Sequence, residues 1–153
     1  MKISKIEAVP LAIPFSYGGT SERRLDFCLV RVETDSGLVG WGEAFSYNCR
    51  SAVAAAVTDM IAPLALGRDA SAIDDVNSHI QKKLHIFGRF GITAFALSGL
   101  DIALWDLAAK AAGVPLYRLF GKEHRKTVPC YADRKSTRLN SSHIQKSRMP
   151  SSA

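Results

Sequence analysis

The most regular hydrophobic pattern in the chain lies between residues 96 and 112. Apolar side chains recur there at steps of three and four residues, the spacing of one face of an α-helix; they are Leu97, Leu100, Leu104, Leu107, Ala108 and Ala111. Small residues beside this stripe would let another backbone approach closely, namely Ala96, Gly99, Ala103, Ala109 and Ala112. The pattern predicts a helix of about 20 residues whose apolar stripe faces the core.

Start and stop signals bound this helix. Thr93 is a candidate N-cap, because its hydroxyl can accept a hydrogen bond from a free backbone N–H. Gly113 can adopt the left-handed conformation common after a helix, and Pro115 cannot continue one. Asp106 and Lys110 are spaced to form an ion pair on the solvated side.

Alternating apolar and polar residues predict three strands before the helices. Residues 2–14 form the first, with one face that carries Ile3, Val9, Leu11 and Ile13. Residues 26–34 form the second, with an apolar face of Cys28, Val30 and Val32. The turn residues 35–37 lead into the third strand, residues 38–44. Short connections between consecutive strands favour an antiparallel three-stranded meander.

Two further helices are predicted between the meander and the long helix. Residues 51–66 are rich in alanine and end at Gly67. Residues 71–74 read Ser-Ala-Ile-Asp, a candidate capping box, and helical spacing continues through Ile73, Val76, Ile80 and Leu84. Three strands followed by three helices indicate an α+β domain with helices on one side of a small antiparallel sheet.

Composition and charge exclude several classes of function. The chain of 153 residues is 47% hydrophobic, enough for one globular core. Five basic residues and one acidic residue fall in the last 21 positions, so most of the net charge of +6 lies there and the rest is nearly balanced. We therefore expect no nucleic-acid partner. The N-terminus lacks an export signal and no run resembles a membrane span, so we expect a cytoplasmic protein.

Candidate catalytic and metal-binding clusters fail on spacing. Asp101 and Asp106 are five residues apart and point about 140° apart around a helix. The side chains of His79 and His85 also point in different directions around a helix. The three cysteines contain no Cys-x-x-Cys pair. Gly40 and its neighbouring glycines lie in a strand with no helix directly after them, so close packing is favoured over phosphate binding. We predict no catalytic or metal-binding residue.

Two loops hold the candidate substrate-binding residues. They follow the first and third strands and carry Phe15, Ser16 and Tyr17, and Phe45, Tyr47 and Asn48. Aromatic faces with hydrogen-bonding tips suit a mobile lid over a small acid. The alternative is that these are exposed loop aromatics without a ligand. For Glu43, at the end of the third strand, the sequence leaves two orientations open: the side chain faces either solvent or a substrate cleft.

The residue order of the long helix resembles a known family signature. Residues 96–110 read Ala-x-Ser-Gly-Leu-Asp-x-Ala-Leu-Trp-Asp-Leu-x-Ala-Lys, and Pro-Leu and Leu-Phe-Gly follow at residues 115–116 and 119–121. This order resembles the first signature of the mandelate racemase/muconate lactonising enzyme group of the enolase superfamily, whose members are racemases and epimerases, cycloisomerases and sugar-acid dehydratases. The resemblance implies an N-terminal capping domain, and it assigns no catalytic residue to this chain.

For the full-length enzyme the resemblance implies Mg²⁺-assisted removal of a proton α to a carboxylate, with the metal ligands and bases in a C-terminal (β/α)-barrel. It implies a small carboxylate substrate, closure of the two loops over the barrel mouth, and a homo-oligomer. On this basis residues 1–121 are the cap, and residues 122–132 are a linker and the first barrel strand.

Residues 133–153 look foreign to the protein. They are rich in serine and basic residues, and residues 133–143 and 147–153 read as the translation of a widely used sequencing adapter. We expect this tail to be disordered, because it cannot bury a core, and we expect the chain to be inactive by itself. The alternative is a free-standing α+β binding module that uses a genuine basic tail for docking.

Overall fold

The computed structural model describes residues 1–15 and 23–121, together with Thr127 and Pro129. Its strands are β1 (Ile3–Phe15), β2 (Arg23–Thr34) and β3 (Val39–Ala44). Its helices are α1 (Arg50–Ala55), α2 (Ala62–Ala65), α3 (Ile73–Lys83) and α4 (Ile92–Ala111), with a π-helical segment Ala56–Ile61 and 3₁₀ turns His85–Phe87 and Leu116–Phe120. Thus the α+β class is confirmed. Apart from Thr127 and Pro129, the predicted linker, first barrel strand and tail lie outside the described residues.

The sheet is the predicted antiparallel meander in the order β1-β2-β3. Its second strand presents Cys28, Val30 and Val32 to the core, as expected. The predicted face of β1 is correct for Val9, Leu11 and Ile13, and for Lys5 and Glu7 beside them, but wrong for Ile3, because the register shifts between Ile3 and Lys5. An extra residue at such a bulge reverses the alternation. Ile3 is therefore buried, but beyond the bulge the core-facing residues are Ile6 and Ala8, and Val9, Leu11 and Ile13 lie on the opposite face.

Close backbone contact joins β3 to α4. A Cβ atom on Gly42 would lie 2.7 Å from the backbone nitrogen of Ala103 and closer still to the carbonyl oxygen of Gly99. One on Gly40 would lie 2.6 Å from Cγ of Leu107. No side chain fits at either glycine without displacing the helix. The expectation that these glycines serve packing is confirmed.

The long helix α4 supplies much of the core. Seven of its residues are buried, including Leu100, Leu104 and Leu107 from the predicted stripe. Ala111 is exposed, and so its assignment to the stripe is wrong. Within the described residues α4 is long and apolar enough to cross a membrane by length and composition, but this apolarity is that of a core helix packed on a sheet.

Of the two predicted ends of α4, the C-terminal one is confirmed and the N-terminal one is wrong. At its C-terminus Gly113 has φ +64°, and the N–H groups of Gly113 and Val114 donate to the carbonyls of Lys110 and Ala109. This Schellman motif confirms the predicted stop. At its N-terminus the predicted Thr93 cap is wrong, because the helix begins at Ile92 and its N-cap is Gly91, at φ +76°.

The other two predicted helices differ in detail. Residues 50–65 form a helical run in which the middle turn is π-helical, so the prediction of one regular helix is corrected. The predicted capping box is also wrong. Helix α3 begins at Ile73 with Ala72 as N-cap and no side-chain cap, because the backbone N–H of Ser71 donates to Asp69 Oδ1 at 3.0 Å and Ser71 belongs to the preceding turn.

Two side chains of α4 cover the free edge of β3. The predicted pair forms, with Lys110 Nζ 2.7 Å from Asp106 Oδ2. Asp106 also accepts the backbone N–H of Trp41 at 2.9 Å, and Lys110 donates to the carbonyl oxygen of Val39 at 2.8 Å. The pair therefore also forms hydrogen bonds with backbone groups of β3 that would otherwise be unpaired at the edge of the sheet.

A tie between β2 and α1 fixes the base of the loop after β3. Arg50 Nη1 lies 2.5 Å from Asp26 Oδ1, whose side chain is only 10% exposed. Ser46, in the loop itself, is buried and donates to the carbonyl oxygen of Asp26 at 3.3 Å. Two contacts with Asp26 therefore hold the loop 45–49, one from Ser46 near its start and one from Arg50 directly after its end.

We expect Gly42→Ala to lower the free energy of unfolding by about 1–3 kcal/mol, because the added methyl group overpacks the contact with α4. Denaturant titration measures this. Gly121→Ala is the control, since a Cβ there meets nothing within 4 Å, and it should stay within about 0.5 kcal/mol. Equal stability of the two variants would contradict the packing role of Gly42.

Cys28 should resist thiol reagents in the folded chain. Its side chain is fully buried, and burial raises the pKa of its thiol, so the reactive thiolate is scarce at neutral pH. In a Cys130→Ser background, Cys28 should react about 100-fold more slowly than the half-buried Cys49, because local opening must come first. Equal rates in a folded sample would contradict this assignment.

Arg50→Met should destabilise the fold by about 2 kcal/mol and accelerate amide exchange at residues 46–49, because it leaves the Asp26 carboxylate largely buried without its partner. The control is Lys5→Met, which removes an ion pair whose side chains are 56% and 39% exposed. We expect that control to change stability by less than about 0.5 kcal/mol. Matching losses would show that the Asp26 tie is no stronger than a surface pair.

Candidate functional site

The two candidate loops leave the same end of the sheet. Phe15 is the last residue of β1 and pairs with Arg23 of β2, and β3 ends at Ala44, which pairs with Cys28 of β2. Since β1 and β3 both run antiparallel to β2, both loops leave in the direction of the end where β2 begins, although β1 extends five residues beyond Pro10, which pairs with Cys28 at the level where β3 ends. Ser16 and Tyr17 lie outside the described residues, and their assignment stays a prediction.

The loop after β3 presents two aromatic rings to solvent. Phe45 is 57% exposed and Tyr47 is 69% exposed. Their rings are nearly parallel with centroids 6.5 Å apart. Asn48 is exposed beside them and has φ +55°, a left-handed conformation that asparagine tolerates better than most residues. The structure therefore brings Phe45, Tyr47 and Asn48 together as one exposed surface above an anchored base.

Helix α4 supports this surface from the other side. The ring of Phe95, in its first turn, packs edge-on against Phe45 with centroids 5.0 Å apart. Phe95 was not among the predicted site residues, because it lies outside the helical stripe and contacts Phe45 only in the folded chain. Edge-to-face packing holds one ring of the loop in place while Phe45 stays 57% exposed.

The connection between α3 and α4 was also missed. Ile86 is 75% exposed and Phe90 is 79% exposed, and the first turn of α4, beside Phe45, follows directly. The signal was available in the sequence, because four large apolar residues, Ile86, Phe87, Phe90 and Ile92, flank Gly88 and Gly91. Both glycines have positive φ in the structure. These exposed apolar side chains lie in the connection that leads into the helix turn whose Phe95 contacts Phe45.

Acid–base or metal chemistry does not converge on this surface. Within residues 1–15 and 23–121 no group of three His, Cys, Asp or Glu side chains is placed to hold a metal ion. Asp101 accepts a hydrogen bond from Asn77 Nδ2 at 2.6 Å, while Asp106 holds the edge of β3. Glu43 is exposed on the strand, in register with Leu29. The described residues do not fit a Mg²⁺ ion, and the arrangement is suited to binding by stacking and hydrogen bonding.

The pKa of His79 lies below its ordinary value. Desolvation lowers it first, and the nearby positive charges of Arg68, Lys83 and Lys82 lower it further. His85 lies apart, with Nδ1 2.9 Å from the carbonyl oxygen of Lys82. Neither histidine is paired with a carboxylate among the described interactions, so the geometry offers no acid–base dyad here.

Known proteins resemble this chain over the same region. A D-mannonate dehydratase of Rhizorhabdus wittichii is 40% identical over 106 residues, which is 69% of this chain and 26% of that protein. An arabinonate dehydratase of Saccharolobus solfataricus is 36% identical over 108 residues, 71% of this chain and 29% of that protein. The chain thus spans about a quarter of the length of these relatives.

A solved structure shows the same fold. A mandelate racemase/muconate lactonizing protein from Paracoccus denitrificans, complexed with magnesium, has a TM-score of 0.72 and 35% identity, over 85% of this chain and 33% of that one. Residues 3–121 match the family described as the mandelate racemase/muconate lactonizing enzyme N-terminal domain. The chain therefore belongs to the mandelate racemase/muconate lactonizing enzyme family of the enolase superfamily, as its N-terminal domain.

Proposed function

We propose that this chain is the substrate-closing cap of a two-domain enzyme that removes a proton α to the carboxylate of a small acid. The observation that carries the proposal is the exposed pair Phe45 and Tyr47, held over an anchored loop base. Rings that remain exposed in a stable fold are suited to cover a ligand bound by another domain.

The chemistry of the loop favours a hydroxylated acid as the substrate. Tyr47 and Asn48 offer a phenolic hydroxyl and an amide beside an aromatic face. The hydroxyl and the amide can hydrogen-bond to the hydroxyls of such an acid, and the ring can cover its C–H groups. Two similar proteins are named as dehydratases of the sugar acids D-mannonate and arabinonate. We therefore propose a sugar-acid dehydratase as the parent enzyme, ahead of a racemase or a cycloisomerase.

The remaining parts of the proposal concern the whole protein. Family membership supports a C-terminal barrel that follows residue 121, with Mg²⁺ bound there to stabilise the negative charge that forms on the substrate. We assign no catalytic or metal-binding role to the described residues. The chain alone is then inactive, the tail 133–153 is foreign, and the enzyme works in the cytoplasm.

The loop assignment is tested by Tyr17→Ala and Tyr47→Ala in the full-length enzyme. Loss of one hydrogen bond and one aromatic contact should lower kcat/KM for the native acid by roughly 5- to 150-fold, about 1–3 kcal/mol, with little change in Mg²⁺ affinity. Discrimination against a shortened acid should shrink as well.

Leu66→Ala is the matched control for these variants. Leu66 is 46% exposed, and the N–H of the next residue, Gly67, bonds to Ile3 at the far end of the sheet. This variant should keep kcat/KM within about twofold, as surface substitutions usually do. Wild-type kcat/KM in both tyrosine variants would mean that the loops do not contact the substrate.

Sequencing of the source gene across codon 132 separates the enzyme from the free-standing module. The enzyme requires an open reading frame of about 200 further residues, enough for a (β/α)-barrel. A natural stop codon after Ala153 would instead support a module with a genuine basic tail.

A further inference from the structure

A cavity of about 290 Å³ lies between α3 and α4. Side chains of α3 and of the first half of α4 line it, together with Gly88 and Arg89 of the connection between the two helices. This volume is near the lower end of the range for cavities that bind small molecules. None of the loop residues 45–49 lines the cavity, so the proposed closure over a substrate makes no use of it.

Both helices contribute apolar side chains to the cavity. Ile80 of α3 is fully buried, and Leu84 and Leu97 are half-buried against the core. Ala94, about one turn before Leu97 on α4, contributes only a methyl group. Burial of apolar surface is the main favourable term in most association. The lining therefore favours a ligand with an apolar body.

The α4 side of the cavity carries a carboxylate without a positive partner. Asp101 is half-buried, and none of the ion pairs within residues 1–15 and 23–121 includes it. Asn77 Nδ2 donates to Asp101 Oδ1 at 2.6 Å, and Oδ2 of the same carboxylate remains able to accept. Charges that are taken out of water are usually paired, because apolar neighbours replace part of their hydration. This position therefore favours a ligand with a positive charge.

Asn77 adds a second acceptor beside Asp101. Its Oδ1 is buried and accepts no hydrogen bond from the described part of the chain. The orientation of the amide follows from the carboxylate, which can only accept, so that Nδ2 faces Asp101 and Oδ1 faces away. Buried acceptors are paired in most proteins. A carboxylate next to an amide oxygen selects a ligand with several N–H donors on one atom, and an ammonium group has three.

Arg89 restricts the ligand to a single positive charge. Its side chain is exposed, lines the same cavity and forms no ion pair with another described residue. The guanidinium would repel a second cation on the ligand, whereas a neutral apolar end meets no such repulsion. We infer that the cavity between α3 and α4 binds a small organic monocation, namely a primary amine with an apolar body and no second charge.

Titration of the ¹⁵N-labelled 153-residue chain with 2-phenylethylamine, followed by the amide NMR shifts, tests this site. For a ligand of about nine non-hydrogen atoms we expect a dissociation constant of about 1 mM, with shifts confined to the residues around the cavity. The neutral 2-phenylethanol and the anionic 3-phenylpropionate carry the same ring. Each should bind at least about 10-fold more weakly, because the charge-assisted hydrogen bond to Asp101 is lost.

Three variants separate the role of charge from that of shape. Asp101→Asn removes the charge at nearly constant shape and should weaken binding of the amine by about 10-fold or more. Asp59→Asn is the matched control, since Asp59 is exposed and does not line the cavity; it should leave the dissociation constant within about twofold. Ala94→Leu fills part of the cavity and should weaken binding of the amine and of the alcohol alike.

Circular dichroism and thermal unfolding of each variant show that the comparison is made between folded chains. Shifts that fail to saturate by about 20 mM amine would overturn the inference. So would equal affinities of the wild-type chain for the amine and the alcohol, since apolar contact alone would then explain binding. Equal affinities of wild type and Asp101→Asn for the amine would place the positive charge elsewhere and would also overturn it. Activity of the parent enzyme does not enter these outcomes, so they are independent of the proposed function.

Discussion

The close approach of β3 to α4 is the contact on which the rest of this domain depends. Gly40 and Gly42 on the strand face Gly99 and Ala103 on the helix, and a Cβ on Gly99 would lie 2.6 Å from Cγ2 of Val30. Small residues on both sides let the helix lie directly on the sheet, with its leucines in the core. The same approach brings Asp106 and Lys110 within reach of the edge of β3, so one contact fixes the core, the edge and the helix register together.

The register of α4 against β3 also determines the geometry of the loop surface. Because Gly99 lies against Ala44, the first turn of the helix reaches the residues that follow the strand, and Phe95 packs against Phe45. The base of the loop is held separately by Asp26 and Arg50. A rigid base with exposed rings is the arrangement that binding sites on loops commonly use, and it connects the packing of the core to the proposed closure over a substrate.

Much of the fold could be predicted from local sequence, and the errors have identifiable physical causes. The Gly113 and Pro115 stop was predictable because the conformational preferences of these residues act within one turn. The placement of Ile3 on the face opposite to Val9, Leu11 and Ile13 was not, since a bulge at Ile3 follows from pairing with β2 and leaves the composition of β1 unchanged. Ser71 likewise fits a capping box by sequence, but the local bond to Asp69 draws it into a turn.

The candidate site, like the fold, could be predicted from the sequence only where local composition determines it. The exposure of Phe45 and Tyr47 was predictable from loop composition, whereas the contact of Phe45 with Phe95 joins residues 50 positions apart in the chain. The most direct test of the account is a crystal structure of the full-length enzyme with a sugar acid bound. The rings of Phe45 and Tyr47 are expected to lie within about 4 Å of the ligand, which is van der Waals contact. A bound acid that is fully enclosed by barrel residues, with the 45–49 loop in solvent and away from it, would contradict the account.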